Sequence, residues 1–348
     1  MDDARIENGI RWQAEHCRRN NAPVTARIID AQIPLMKTDT AVGRRIANWP
    51  GLPLEDAMPL RLAGGFHHML LTGAEQRLVP VYRGDVTDQA AVDAIVAAVV
   101  ADHDARLLPW LDGPPQTNEA GRSASFMAGL LWLSGRLGPR FELNELGASA
   151  GINCMMDRYH YNLGGMTTGP DGSPMRIKPE WRGSPPPDNP VEIVAIKGCD
   201  QAPIDLSDQH AALRVKSYVW PENTDRIVRM DAAIALAAQR KPDVVQADAL
   251  DWVLDRLAAP QSEGVIRVIN HSIVWQYIPA DKRAAITSAI KAAGATATRS
   301  KPLAWMMLET NRETFAHELS IRYWPDGEAA ALLGQAQAHG AWVEWFEN

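Results

Sequence analysis

Seven residues, Glu145-Leu-Gly147-Ala-Ser149-Ala-Gly151, have types and spacing that could do chemistry. Gly147 and Gly151 lack a Cβ and can adopt positive φ, so a ligand could come close to the backbone there. Exposed amides at the start of a following helix would then attract an anionic group. The same stretch fits G-x-S-x-G, the strained turn that presents a hydrolase serine. Asp248 and His271 follow in the order Ser, Asp, His, and Gly64-Gly65 with His67-His68 could serve as an oxyanion loop. A third reading is a purely structural turn.

A turn of this kind must be held by a strand, and the strand by a sheet. Residues 139–348 alternate accordingly. Strands are expected at Arg140–Leu146, Val191–Gly198, Asp243–Gln246, Val265–Asn270 and Leu303–Leu308. Helices are expected at Ser149–Tyr159, Ser207–Tyr218, Asn223–Gln239, Ala249–Leu257 and Ala280–Ala293. This rhythm means βαβ units, a mostly parallel sheet, and strand carboxyl ends on one ligand-binding rim. His317–Tyr323 and Trp342–Phe346 are expected to pair antiparallel across 325–340. Residues 162–190, rich in Gly and Pro, read as an insertion. Residues 1–138 read as a helical region, with segments near 3–20, 23–36, 59–72, 89–108 and 118–137, the last capped by Thr117 or Asn118. The 138 helical residues before the first strand speak against the hydrolase reading, whose elbow normally follows several strands.

At this turn the chain resembles the first motif of class I S-adenosylmethionine-dependent methyltransferases. Glu145, Gly147 and Gly151 match, and Ser149 replaces the middle glycine. More closely, it resembles a bacterial family known only as domain of unknown function 2332. That resemblance is carried by Gln116-Thr-Asn-Glu-Ala-Gly-Arg-Ser123, Glu145 through Asn153, Asp157-Arg-Tyr-His-Tyr161, Gly198 through Asp205, and Trp220-Pro-Glu222 with Arg226. The methyltransferase resemblance implies a Rossmann-like, seven-stranded, mostly parallel sheet with an antiparallel end, preceded by the helical region. It implies S-adenosylmethionine as cofactor and methyl transfer to a small molecule.

It also implies roles for the other rim positions. The carboxylate of the methionine moiety would meet the amides after Gly147, with a possible bond from the Ser149 hydroxyl. Asp200 would take the ribose hydroxyls, as a carboxylate accepts from a vicinal diol; otherwise it begins an Asx turn before Pro203. Asp248 would accept from the adenine amine, cap the helix at 249–257, or both. Asn270 would face the ligand, His271 would act as base, and Tyr277 would orient substrate. A buried, structurally satisfied His271 is the alternative. Asn118 and Glu119 would stand over the ligand from the joint between the halves, although Glu119 and Arg122 also suit a surface pair. Arg122, Arg158 and Tyr161 are candidates for substrate binding, the arginines as clamps on an acidic group or as interdomain salt bridges. A non-catalytic nucleoside-binding or interaction module is a further possibility.

Bulk properties narrow the field. A net charge of -7 and the lack of a dense Lys/Arg run argue against a nucleic-acid partner. The three widely spaced cysteines, Cys17, Cys154 and Cys199, suggest neither a disulfide framework nor a zinc ribbon, and a cytoplasmic location is expected. No apolar run approaches a membrane span, and no metal-ligand set emerges. The N-terminal helices are expected to act as a lid or as a homodimer surface.

Overall fold

Helices start where the chain supplies an end signal. Pro23 opens Pro23–Asp30. Thr40 accepts from the Gly43 N–H ahead of Ala41–Ala47, and Asp88 from the Ala91 N–H ahead of Gln89–Leu107, each at 2.9 Å. The computed structural model describes residues 3–116 and 118–346. Thr117, one of the two expected caps, lies outside them. The chain forms two units: residues up to 117 with Asp208–Val228, and 118–207 with 229 onward.

The first unit is helical. Asp3–Arg19, Pro23–Asp30, Met58–Leu71, Gln89–Leu107 and Gln209–Ser217 are its main helices. Ile6, Ile10, Ile28, Leu62, Phe66, Val96 and Leu107 fill its core. Each such side chain, fully buried, stabilises the fold by about 1.5–3 kcal/mol.

The second unit contains the strands β1 (Arg140–Leu146), β2 (His160–Leu163), β3 (Met166–Thr168), β4 (Arg176–Ile177), β5 (Glu180–Arg182) and β6 (Glu192–Asp200). They continue with β7 (Val244–Gln246), β8 (Ile266–Ser272), β9 (Leu303–Thr310), β10 (His317–Trp324), β11 (Gly327–Ala336) and β12 (Trp342–Trp345). The main sheet has nine strands in the order β5-β12-β11-β10-β9-β8-β1-β6-β7. Strands β7, β6, β1, β8 and β9 are mutually parallel, and β10 to β12 continue antiparallel. Read in order of appearance, the parallel part runs 3-2-1-4-5. This is a Rossmann-like α/β arrangement whose order reverses between β1 and β8, the position where such sheets bind ligands.

Register and the two-residue period settle which side chains share a face. Glu145 pairs with Asn270, and Leu146 with His271. Leu146, Ile269 and Trp305 pack with Trp252 and Val253 of helix Ala249–Ala258 and with Ile286 and Ile290 of helix Ala280–Ala295. The opposite face meets helix Ser123–Leu137. A Cβ on its Gly129 would stand 2.9 Å from Ile321 and 3.1 Å from Met306.

Several expectations are corrected. The domain boundary falls at 117/118 rather than 138, because helix Ser123–Leu137 buries against the sheet, and Asp208–Val228 returns to the helical unit. The expected helix Ser149–Tyr159 is a turn followed by a short 3-10 segment, Asn153–Arg158. Positive φ at Ser149 (52°) and Gly151 (70°) interrupts the helical path. The insertion is not structureless: β3-β2-β4 form a separate small sheet, and β5 extends the main one. At the C-terminus β10 pairs with β11 and β11 with β12, because 325–340 itself supplies a strand. The sheet therefore has nine strands rather than seven.

Candidate functional site

The carboxyl ends of β1, β6 and β8 bring most of the expected rim residues together. The turn after β1 is held by hydrogen bonds. Ala148 N–H donates to the Cys199 carbonyl at 2.9 Å and Gly151 N–H to the Ala148 carbonyl at 2.7 Å. Ser149 N–H donates to Asp200 Oδ2 at 2.9 Å, and Ala202 N–H donates to Asp200 Oδ1 at 2.9 Å. Ile152 N–H donates to Asn118 Oδ1 at 2.7 Å. These amides are therefore spent within the protein, and no α-helix begins here. The expected anion cradle at a helix start is not formed.

Glycine is required at both ends of this turn. Gly147 has φ 67°, and an added Cβ would fall 2.3 Å from Val274. Gly151 has φ 70°, and an added Cβ would fall 2.7 Å from Pro242. Between them, the Ser149 hydroxyl oxygen is buried and has no hydrogen-bond partner among the described residues.

Three carboxylates act on the Cys199 thiol. Burial pushes this thiol up to about 12, and Asp200, Glu145 and Asp248 add to the effect. Their surroundings differ. Asp200 is partly exposed and bonds only backbone amides, so acceptor capacity remains. Glu145 is buried and accepts from Cys154 Sγ at 3.1 Å. Burial raises its carboxyl to about 7. The Asn153 amide lies beside it, outside the geometry of a made hydrogen bond, and Asn270 Oδ1 on the neighbouring strand is buried without a partner. Asp248 accepts from Leu250 N–H at 3.0 Å, as a helix cap, and from Lys282 at 2.6 Å. The Lys282 ammonium holds its carboxyl below the usual range.

His271 has a structural position. It is fully buried, on the sheet face opposite Glu145 and Asn270. Its Nδ1 lies 2.7 Å from Glu309 Oε1, and its Nε2 accepts from Trp305 Nε1 at 3.1 Å. Trp275 stacks on the ring at 4.7 Å. Glu309 also accepts from the amides of Val274 and Trp275, at 3.1 and 3.3 Å. This group fixes the loop after β8, and neither imidazole nitrogen is available as the expected base. The Ser149–Asp248–His271 triad is likewise not assembled, since each member is bonded elsewhere or unpartnered.

The remaining candidates divide. Asn118, Glu119 and Arg122 are buried at the sheet, not on the surface. Glu119 pairs with Arg229 at 3.0 Å. Arg122 donates to the carbonyls of Ala338 at 2.9 Å and Ser272 at 3.3 Å. Arg158 donates to the carbonyls of Leu236 and Arg240 at 2.7 and 3.0 Å, closing the end of helix Thr224–Gln239 instead of clamping a substrate. Tyr161 is fully buried and donates to the Met156 carbonyl at 3.1 Å, which removes it from substrate binding. Tyr277, after β8, is 75% exposed.

Sequence reasoning missed Cys154, Asn153, Glu309, Arg229 and Lys282. Glu309 left a readable signal, an acidic residue at the carboxyl end of a strand. Cys154 and Asn153 reach Glu145 only because the chain turns sharply at 149–151. Among the described residues, no group of three or more His, Cys, Asp or Glu could hold a metal ion, and no helix is long and apolar enough to cross a membrane.

A solved chain described as "DhpI-SAM-HEP complex" is similar at 12% identity and a TM-score of 0.23, covering 62% of this chain. The match spans 63% of that chain's own length. No curated protein matches the sequence. The model of the family described as "Uncharacterized protein conserved in bacteria (DUF2332)" matches residues 7–345, and the chain belongs to that family.

Proposed function

We propose that the α/β unit binds S-adenosylmethionine over the carboxyl ends of β1 and β6 and serves methyl transfer to a small molecule. The observation that carries this reading is the link between Asp200 and Ser149, 2.9 Å long, beside the point where the strand order reverses. It brings a carboxylate with spare acceptor sites to a turn that contains an unpartnered hydroxyl.

The fit rests on buried polar atoms without partners. Ser149 Oγ and Asn270 Oδ1 lie at adjacent strand tips, and leaving such atoms unbonded is unfavourable. Asp200 would accept from the ribose diol, and Ser149 would donate to the carboxylate of the methionine moiety. Asn270 would accept from its ammonium group. The bound cofactor supplies an electrophilic methyl group. Glu145, raised to about 7, is the group at this rim suited to take up a proton near neutrality, in the role first expected of His271. Asp248 is left as a helix cap held by Lys282.

Calorimetry with S-adenosylmethionine and S-adenosylhomocysteine tests the reading. Saturable binding of both is expected. No heat with either at millimolar ligand removes the cofactor assignment.

A further inference from the structure

We propose that the helical unit has an anion site of its own, formed by His68, Arg106, His210 and Arg214, that takes the phosphoryl group of a small molecule. The four residues come from three helices. His68 belongs to Met58–Leu71, Arg106 to Gln89–Leu107, and His210 and Arg214 to Gln209–Ser217. Trp110, in the short segment Leu108–Leu111 that follows Arg106, is their common support. The Arg214 guanidinium lies over its ring, 4.1 Å from the centroid, and the His68 ring lies 5.3 Å from it. His210 and Arg214 stand one turn apart and so share a face of their helix. The support is tightly packed. A Cβ on Gly65 would fall 3.0 Å from Trp110, and one on Gly64 would fall 2.6 Å from Tyr218, whose ring meets Trp110 edge-on at 5.5 Å.

The charges here run against those of the whole chain, whose net charge is -7. The charged and titratable groups that act on His68 are Arg106, Arg214 and His210, and no carboxylate is among them. Neither arginine makes an ion pair with the described residues. Arg106, His210 and Arg214 are exposed and His68 is half-buried, so an anion can reach them from solvent. Like charges gathered without a counter-ion repel one another, and an anion placed among them is attracted to all. Guanidinium forks match the oxygens of a phosphoryl group, and the imidazoles add single N–H donors. Four such groups around one indole suit one phosphoryl group. A polynucleotide would call for a longer row of cations.

His68 couples the site to protons. Burial lowers its pKa, and Arg106, Arg214 and His210 lower it further, so the imidazole is neutral at pH 7. A bound dianion favours the protonated form and raises that pKa. The stretch Gly64-Gly65 with His68, unused by the methyl-transfer reading, thus acquires a role that does not depend on the cofactor.

Proton NMR of the histidine ring signals tests the proposal on the full chain, with inorganic phosphate as the probe and sodium chloride of equal ionic strength as the control. His68→Gln assigns the His68 signal. Saturable shifts of the His68 and His210 signals with phosphate, and none with chloride, are expected. The titration midpoint of His68 should rise in saturating phosphate. Arg106→Gln and Arg214→Gln should each weaken phosphate binding about tenfold, the value of one charge-assisted hydrogen bond. Circular dichroism reports whether each variant folds, and the exposed Arg106 still decides if Arg214→Gln does not. Ribose 5-phosphate separates two sources of the group: tighter binding than inorganic phosphate assigns the site to a phosphate ester, and equal binding assigns it to free phosphate. No saturable shift at tens of millimolar phosphate overturns the proposal, as does unchanged binding in folded Arg106→Gln. A single-stranded oligonucleotide that binds here and is not displaced by phosphate would also overturn it, in favour of a nucleic-acid surface.

Discussion

The Asp200 carboxylate accepts the Ser149 amide proton at 2.9 Å, tying the tip of β6 to the turn that leaves β1. The same carboxylate caps the Ala202 amide. If it also receives a ribose, losing it removes charge-assisted hydrogen bonds. Asp200→Ala is predicted to weaken S-adenosylhomocysteine binding about 10- to 100-fold in calorimetry. Asp200→Asn should fall between it and wild type. Unchanged affinity in both variants, with folding intact, would remove Asp200 from the site.

Glu145 gives the protein a pH dependence of defined sign. Its carboxyl rises from 4.5 to about 7 on folding because burial disfavours the charge. The folded state therefore holds this proton where the unfolded state has released it. Stability from this group is fully present below 4.5, declines as pH rises toward 7, and is flat above. The span corresponds to about 3 kcal/mol. Glu145→Gln should lose that slope and unfold at higher denaturant than wild type above pH 7. Parallel pH profiles for the two proteins would contradict the assignment.

His271 is predicted to matter for folding. Its two nitrogens are bonded to Glu309 and Trp305, and its ring is sealed under Trp275. His271→Ala leaves a cavity and unpaired polar groups, and should cost about 3 kcal/mol or more in denaturant unfolding. A variant of wild-type stability that loses an S-adenosylmethionine-dependent activity measured for the wild type would restore the catalytic role.

Much of this architecture can be read from the sequence. β1 lies where Arg140–Leu146 predicts it, and the β-branched runs behind β6 and β8 are plain. The tips of these strands, and so Glu145, Asp200 and Asn270, follow from them. What escapes is set by long-range contacts. Asn118 captures the Ile152 amide from 34 residues away and helps make a turn where local pattern suggests a helix. β11 carries Ala329, Ala330 and Ala331, poor strand formers, and is a strand because β10 and β12 flank it. The return of Asp208–Val228 to the helical unit leaves no local mark, since its two helical stretches look like ordinary crossovers. The sequence leaves both roles of His271 open, because a histidine at a strand tip looks the same whether its nitrogens are bonded or open.

Ser149 resembles a hydrolase nucleophile in motif and in its positive φ of 52°, but its hydroxyl has no base. A fluorophosphonate probe is predicted to leave Ser149 unmodified by intact-mass analysis. Labelling that disappears in Ser149→Ala would revive the hydrolase reading.

The most direct test is a crystal structure of the protein soaked with S-adenosylhomocysteine. The account predicts density at the carboxyl ends of β1 and β6, with the ribose on Asp200 and the amino-acid end toward Ser149 and Asn270. A ligand bound elsewhere, or an unaltered rim at saturating ligand, would contradict it.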